Sequence, residues 1–326
     1  MLKKETGFIA YGYGNYGKEC SKCFFENGAD VIAFADKNPM LWGEKTIEGY
    51  KIISPEEIKT FGFDVPVKIC IIKDADIAEQ EIRAAGFIDV NNVNIKLNAD
   101  FIKKVRSSLA DDLSKKVFDA CIKFWESSNT TGFADVFTPD RYFPNDIIKI
   151  KENEVFIDGG GYDGNDTQKF IDLTNGSFKH IYTFEPIQKM TSICKERFSL
   201  NTKVSVLQAA LGSDFTNVFF DENGPGSKEN AKGNEAVRVV KLDEMTIFAP
   251  TMVKLDVEGS ELDALEGMKK TIAEHKPKLA VCLYHKPLDI LEIPLWIAEN
   301  YPFYKLYMRK HNPTNTEEML LYCVTD

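Results

Sequence analysis

An apolar run that stops at a carboxylate and passes at once into three glycines leaves a chain few ways to fold. Residues 154–167 read Glu-Val-Phe-Ile-Asp-Gly-Gly-Gly-Tyr-Asp-Gly-Asn-Asp-Thr. Val155, Phe156 and Ile157 predict a short buried parallel strand, with Asp158 at its carboxyl edge. Gly159, Gly160 and Gly161 let the backbone turn sharply and approach a ligand closely, and Gly164 continues the turn. Asp163, Asn165 and Asp166 supply N-cap side chains for a helix carrying Phe170 and Ile171. Strand, glycine turn and helix in that order form a nucleotide-site architecture.

The spacing narrows the ligand. A dinucleotide site needs Gly-x-Gly-x-x-Gly and a P-loop closes on Gly-Lys-Ser/Thr; this turn has neither. The acid before the first glycine suits a cationic or hydroxyl-rich head, and S-adenosylmethionine carries an ammonium, a sulfonium and a ribose but no phosphate. Asp158, Gly159, Gly161 and Gly164 are the expected contacts at the turn. Residues 181–184 read as the next strand, ending at Glu185, which is expected to reach the same crevice and accept hydrogen bonds from both ribose hydroxyls. Residues 204–207 predict a third strand, and the turn after it either presents Gln208 to the adenine amine or is purely structural. The Gly-, Asn- and Lys-rich residues 221–235 read as a loop between two strands, either a lid or plain disorder.

A second constellation is Val253-Lys-Leu-Asp-Val-Glu-Gly-Ser-Glu-Leu262. An apolar strand again ends in carboxylates; Asp256 is expected to face the crevice, while Glu258 and Glu261 either complement a helix dipole or ligate a divalent metal. Residues 278–284 predict a further strand that delivers His285 to the same edge. Residues 303–308 and 318–324 complete the sheet with an antiparallel last strand.

In this order, Asp158-Gly-Gly-Gly-Tyr-Asp-Gly164, Phe184-Glu185-Pro186, Leu242-Asp243, Lys254 to Glu261 and Leu283-Tyr284-His285 resemble the FkbM-type S-adenosylmethionine-dependent methyltransferases, over about residue 142 onward. The resemblance implies a class I methyltransferase fold, with a Rossmann-like and mostly parallel sheet, and O-methylation of a hydroxyl on a sugar or glycan precursor. Such a transfer is an in-line displacement in which the acceptor oxygen must be aligned and its proton removed. His285 is the expected general base, with Asp256 orienting acceptor or cofactor amine; a structural histidine is the other reading. A metal-assisted route through Asp256, Glu258 or Glu261 is the less favoured mechanism.

Ahead of this lies a second glycine turn. Residues 8–11 predict a strand running into Gly12-Tyr-Gly14-Asn-Tyr-Gly17, and residues 31–35 a second strand ending at Asp36, where a ribose-binding carboxylate belongs. With residues 47–56 (Ile-Glu-Gly-Tyr-Lys-Ile-Ile-Ser-Pro-Glu), this segment resembles the smaller N-terminal Rossmann-like α/β domain of sialic-acid-type and bacillosamine-type N-acetyltransferases, which implies a nucleotide-sugar site at Gly12, Gly14, Gly17 and Asp36. A nicotinamide-dependent sugar-modifying enzyme or a non-catalytic nucleotide-sugar module are the competing functions. The expected organisation is residues 1–98 as the N-terminal domain, 99–140 as a helical connector and 141–326 as the methyltransferase domain. The formal net charge of -10 argues against a nucleic-acid partner. Without an apolar run that spans a bilayer, a cytoplasmic location is expected.

Overall fold

The apolar runs that end in glycine or a carboxylate become parallel strands. The computed structural model describes residues 7–26, 28–71, 75–92, 99–127, 132–220, 235–286, 288–315 and 317–325. Residues 221–234 of the expected loop lie outside that set.

The chain divides into two compact units, Met1–Asn98 with Ile122–Asn129, and Ala99–Cys121 with Thr130–Asp326. The first holds β1 (Phe8–Tyr11), α1 (Asn15–Glu26), β2 (Val31–Ala35), β3 (Ile52–Ile53), β4 (Val67–Ile69), α2 (Ala75–Ala84) and β5 (Val90–Asn92). Its strands lie in the order β3-β2-β1-β4-β5, all parallel. Alternation explains why both faces of β1 are apolar. Ile9 and Tyr11 pack with Ala33, Val67 and Ile82, whereas Phe8 and Ala10 pack with Cys20, Phe24 and Phe34. The last strand of this sheet starts only at Val90: Gly86, with φ +108°, ends the turn after α2, and Ile88 is exposed.

The second unit carries α3 (Ala99–Ser108), and α4 (Asp112–Ser127) runs from it into the other set of residues. There follow β6 (Val155–Gly159), α5 (Asn165–Leu173), β7 (His180–Phe184), α6 (Gln188–Arg197), β8 (Val204–Leu207), β9 (Ala210–Leu211), β10 (Thr216–Phe220), β11 (Glu235–Val240), β12 (Met252–Leu255), α7 (Glu261–Glu266), α8 (Lys269–His275), β13 (Lys278–Cys282), α9 (Asp289–Asn300), β14 (Lys305–Lys310) and β15 (Met319–Val324). Seven strands form one sheet in the order β14-β15-β13-β12-β6-β7-β8. It is parallel except for β15, which is antiparallel to both its neighbours. The fold is therefore α/β with a mostly parallel central sheet. Phe156 and Phe170 stack at 4.5 Å between the sheet and α5. A separate small sheet, β10-β11-β9, flanks it. Strand order reverses between β6 and β12, and ligands bind outside the carboxyl ends of strands at such a switch point. Among the described residues no helix is long and apolar enough to cross a membrane.

Candidate active site

At the switch point β6 ends in the glycine turn. Gly160 and Gly161 each donate a backbone hydrogen bond of 3.0 Å to the Phe184 carbonyl, which ties the turn to the end of β7. Gly160 has φ +78°, and a Cβ there would overlap the Asp256 carbonyl. A Cβ on Gly161 would overlap the Thr183 methyl. Only glycine lets these backbones meet. Above them opens a cavity of about 500 Å³, bounded by Gly160 to Tyr162, Glu185, Met190, Ala209 to Leu211, the Asp256 to Glu258 turn, Tyr284 and Arg141.

Glu185 stands at the end of β7 on the wall of this cavity. Its Oε2 accepts from the Tyr162 N–H and its Oε1 from the Ile187 N–H, both at 2.8 Å. Burial pushes its carboxyl up to about 7 despite these two donors. Each oxygen keeps a further acceptor site. Glu185 thus shapes the glycine turn and remains able to bind hydroxyls.

Asp158 does not line the cavity, contrary to the sequence expectation. It is fully buried, accepting 2.8 Å from Lys254 Nζ and 2.7 Å from the Thr167 hydroxyl. The reason is register: Lys254 on β12 is directly opposite Asp158 on β6, so both side chains leave the sheet on the same face. Lys254 also donates 2.8 Å to the Gly160 carbonyl and lies 3.2 Å from Asp166. Burial raises the Asp158 carboxyl and works to lower Lys254, but Asp158 and Asp166 outweigh it and hold the ammonium charged. This buried pair clamps the glycine turn from beneath. Sequence reasoning passed over Lys254, although a charge between Val253 and Leu255 was a readable signal.

The other expected cofactor contacts divide in the same way. Gly161 lines the cavity. Gly159 packs its backbone on Leu211, Leu255 and Lys254, and Gly164, at φ +82°, sits against the Phe198 ring; neither borders the cavity. Gln208 is exposed outside it, while the following residues, Ala209 to Leu211, form the wall.

Asp256 does border the cavity, at the end of β12. The Tyr142 hydroxyl donates 2.5 Å to its Oδ2, the Tyr284 hydroxyl donates 3.1 Å to its Oδ1, and His285 Nε2 lies 3.3 Å from Oδ1. Burial would raise this carboxyl, but Lys254, His285 and the Tyr142 hydroxyl together hold it below the ordinary carboxylate range. Tyr142 was not foreseen as a site residue; it is 114 positions distant in sequence.

His285 is placed beside Asp256 yet does not border the cavity. Its Nδ1 is 2.7 Å from Glu261 Oε1, and its Nε2 is 3.7 Å from Glu258. Burial alone would lower the imidazole, but Glu261, Asp256 and Glu258 push it up to about 9. In this arrangement His285 stands beside Asp256.

In the N-terminal unit, Gly12, Gly14 and Asp36 border a cavity of about 320 Å³. Asp36 Oδ2 accepts from the Tyr13 N–H at 2.6 Å and Oδ1 from the Asn38 N–H at 2.7 Å. Gly17 is not part of that wall; a Cβ there would overlap the Gly12 carbonyl, so it serves the packing of α1 on the turn after β1.

Residues 158–310 match the methyltransferase FkbM domain. The crystal structure of methyltransferase FkbM from Methylobacillus flagellatus KT resembles the chain with a TM-score of 0.61 at 23% identity, covering 98% of this chain and 90% of that one. An rRNA methylase from Streptococcus thermophilus is 15% identical over 54% of this chain and 89% of that one, with a TM-score of 0.37. Fibrillarin from Aeropyrum pernix, solved with natively bound S-adenosyl-L-methionine, is 9% identical over 55% and 70%, also at 0.37. No curated protein matches the sequence.

Proposed function

We propose that this chain, whose residues 158–310 form a methyltransferase FkbM domain, transfers a methyl group from S-adenosylmethionine to a hydroxyl of a sugar or glycan precursor. The observation that carries the reading is Glu185, a carboxylate on the cavity wall at a strand end, facing a turn where any side chain would collide. A ribose diol needs such an acceptor, and an adenosyl group needs bare backbone to lie against. Ala209 to Leu211 and Met190 add an apolar bed for the base.

The sulfonium supplies an electrophilic methyl. The protein's part is to aim an oxygen at it and take the proton. Asp256 is a carboxylate on the cavity wall; fixed by Tyr142, Tyr284 and His285, it accepts the hydrogen bond of the acceptor hydroxyl. As the O–C bond forms and the C–S bond breaks, the hydroxyl proton passes to Asp256. A carboxylate below its ordinary range is a weak base, so this transfer follows late, when the oxygen is already acidic. The sugar hydroxyl as acceptor rests on the resemblance to FkbM-type enzymes.

Calorimetric titration with S-adenosylhomocysteine tests the cofactor, and mass analysis of glycan precursors incubated with S-adenosylmethionine tests the acceptor. Binding at micromolar concentrations and a product heavier by one methylene are expected; no heat of binding removes the proposal. The same titration with uridine-diphosphate sugars and NAD tests a second reading, that Gly12, Gly14 and Asp36 hold a nucleotide-sugar in the N-terminal unit.

A further inference from the structure

Beside the N-terminal cavity of about 320 Å³ at the glycine turn lies a second of about 510 Å³, walled by Trp42, Pro55, Ile58, Ile82 and Phe87. Tyr11 and Lys37 border both. They stand at the carboxyl edge of the five-stranded sheet, where strand order reverses between β1 and β4. We propose that the two cavities form one site for a nucleoside diphosphate, with its base in the larger, its ribose at Tyr11 and Asp36, and its phosphates over Gly12 and Gly14. The phosphate end rests on the nucleotide-sugar reading of Gly12, Gly14 and Asp36; the base pocket is additional to it.

An independent observation comes from Tyr11. The residue is 3% exposed, and its hydroxyl has no hydrogen-bond partner among the described residues. Burial raises its phenol, with Lys37 opposing, so the group keeps its proton and can donate. A hydroxyl this deep is unfavourable without a partner, and a ribose oxygen supplies one. Asp36 borders the same smaller cavity, and each of its oxygens, having accepted one backbone N–H, keeps a further acceptor site. Donor and acceptor thus await a diol where the cavities join.

The surroundings on either side suit the two ends of such a ligand. Trp42 Nε1 donates 2.7 Å to the Asp36 carbonyl, which fixes the half-exposed indole on the wall of the larger cavity and leaves a ring face to stack on a base. Lys37 and Glu81, paired at 2.6 Å on the same wall, bring a donor and an acceptor to the edge of that base. At the other end Gly14 accepts the Lys18 N–H at 2.9 Å and so caps α1. A glycine brings no side-chain acceptor to the first N–H groups, and the first turn of α1 holds no acidic residue, which suits a phosphate. A Cβ on Gly14 would meet nothing within 4 Å, so the space above the turn is open.

The test is calorimetric titration of the full chain with ADP and with UDP, each repeated in excess S-adenosylhomocysteine. One nucleotide per chain at micromolar concentration is expected for at least one of the two, unchanged by S-adenosylhomocysteine; the tighter of them identifies the base. Tyr11→Phe, which keeps the ring in its core, should weaken binding about threefold to tenfold, and Trp42→Ala about tenfold or more. Gly14→Asp, which sets a carboxylate where the phosphates lie, should abolish it. Tyr11→Phe alone decides if Trp42→Ala fails to fold by circular dichroism. Binding that Gly14→Asp removes but Tyr11→Phe and Trp42→Ala leave intact overturns the joined site while the nucleotide-sugar reading stands. Binding of neither nucleotide, or displacement by S-adenosylhomocysteine, overturns both.

Discussion

Glu185 holds a proton near neutrality because the protein covers it, and a ribose diol needs that proton gone. With its carboxyl raised from 4.5 to about 7, the native state binds the proton more tightly than the unfolded chain. Its contribution to stability is therefore complete below about pH 4.5 and fades as pH rises to about 7. Ligand affinity should run the opposite way. S-adenosylhomocysteine is expected to bind roughly tenfold more weakly at pH 6 than at pH 8, with a proton released on binding near pH 7, measurable by calorimetry in buffers of different ionisation enthalpy. Glu185→Ala should lose about 1.5–3 kcal/mol of binding. Lys254 presents the reverse case, a residue whose value is structural. Lys254→Met leaves Asp158 and Asp166 without their cation and should destabilise the fold by about 3–5 kcal/mol in denaturant titration, part of which the double variant with Asp158→Leu recovers. The sequence made the carboxylate legible but not its direction. Asp158 and Glu185 both end apolar runs, and only the register between β6 and β12 decides that the first turns inward onto Lys254.

At the scale of elements, the strands and turns that build the cavity were readable, because a buried strand has to be apolar and a turn that touches two other backbones has to be glycine. Gly160→Ala tests that claim. A left-handed φ costs an ordinary residue about 1–2 kcal/mol, and here the added carbon also meets the Asp256 carbonyl. A loss of more than about 2 kcal/mol in unfolding free energy is expected, together with disappearance of S-adenosylhomocysteine binding. A near-normal Gly160→Ala would mean that the turn is not held as described. What stayed illegible is long-range. Tyr142 precedes β6, yet its ring lies beneath Asp256, and the Glu258 backbone adopts φ +57°, a left-handed conformation that no local pattern of Val-Glu-Gly announces. His285 was correctly brought to the carboxyl edge by its strand. What its strand could not announce is the three acids drawn from the β12 turn and α7, which surround it only after folding.

For the molecule as a whole, the N-terminal unit has its own five-stranded sheet and its own glycine turn, and the second unit contains every residue assigned here to methyl transfer. The order of strands in the larger sheet carries a consequence for how that unit is made. β15 is flanked by β13 and β14, both earlier in the chain, and Leu320, Leu321, Tyr322 and Cys323 at its centre are fully buried. While a ribosome still holds the residues that follow β14, the nascent polypeptide has two unpaired strand borders and an open slot between them, with Leu306, Met308 and Val281 uncovered. Released truncated chains ending at Lys310 should accordingly be cut by protease throughout this unit and recruit chaperones, whereas chains extended beyond Val324 should resist.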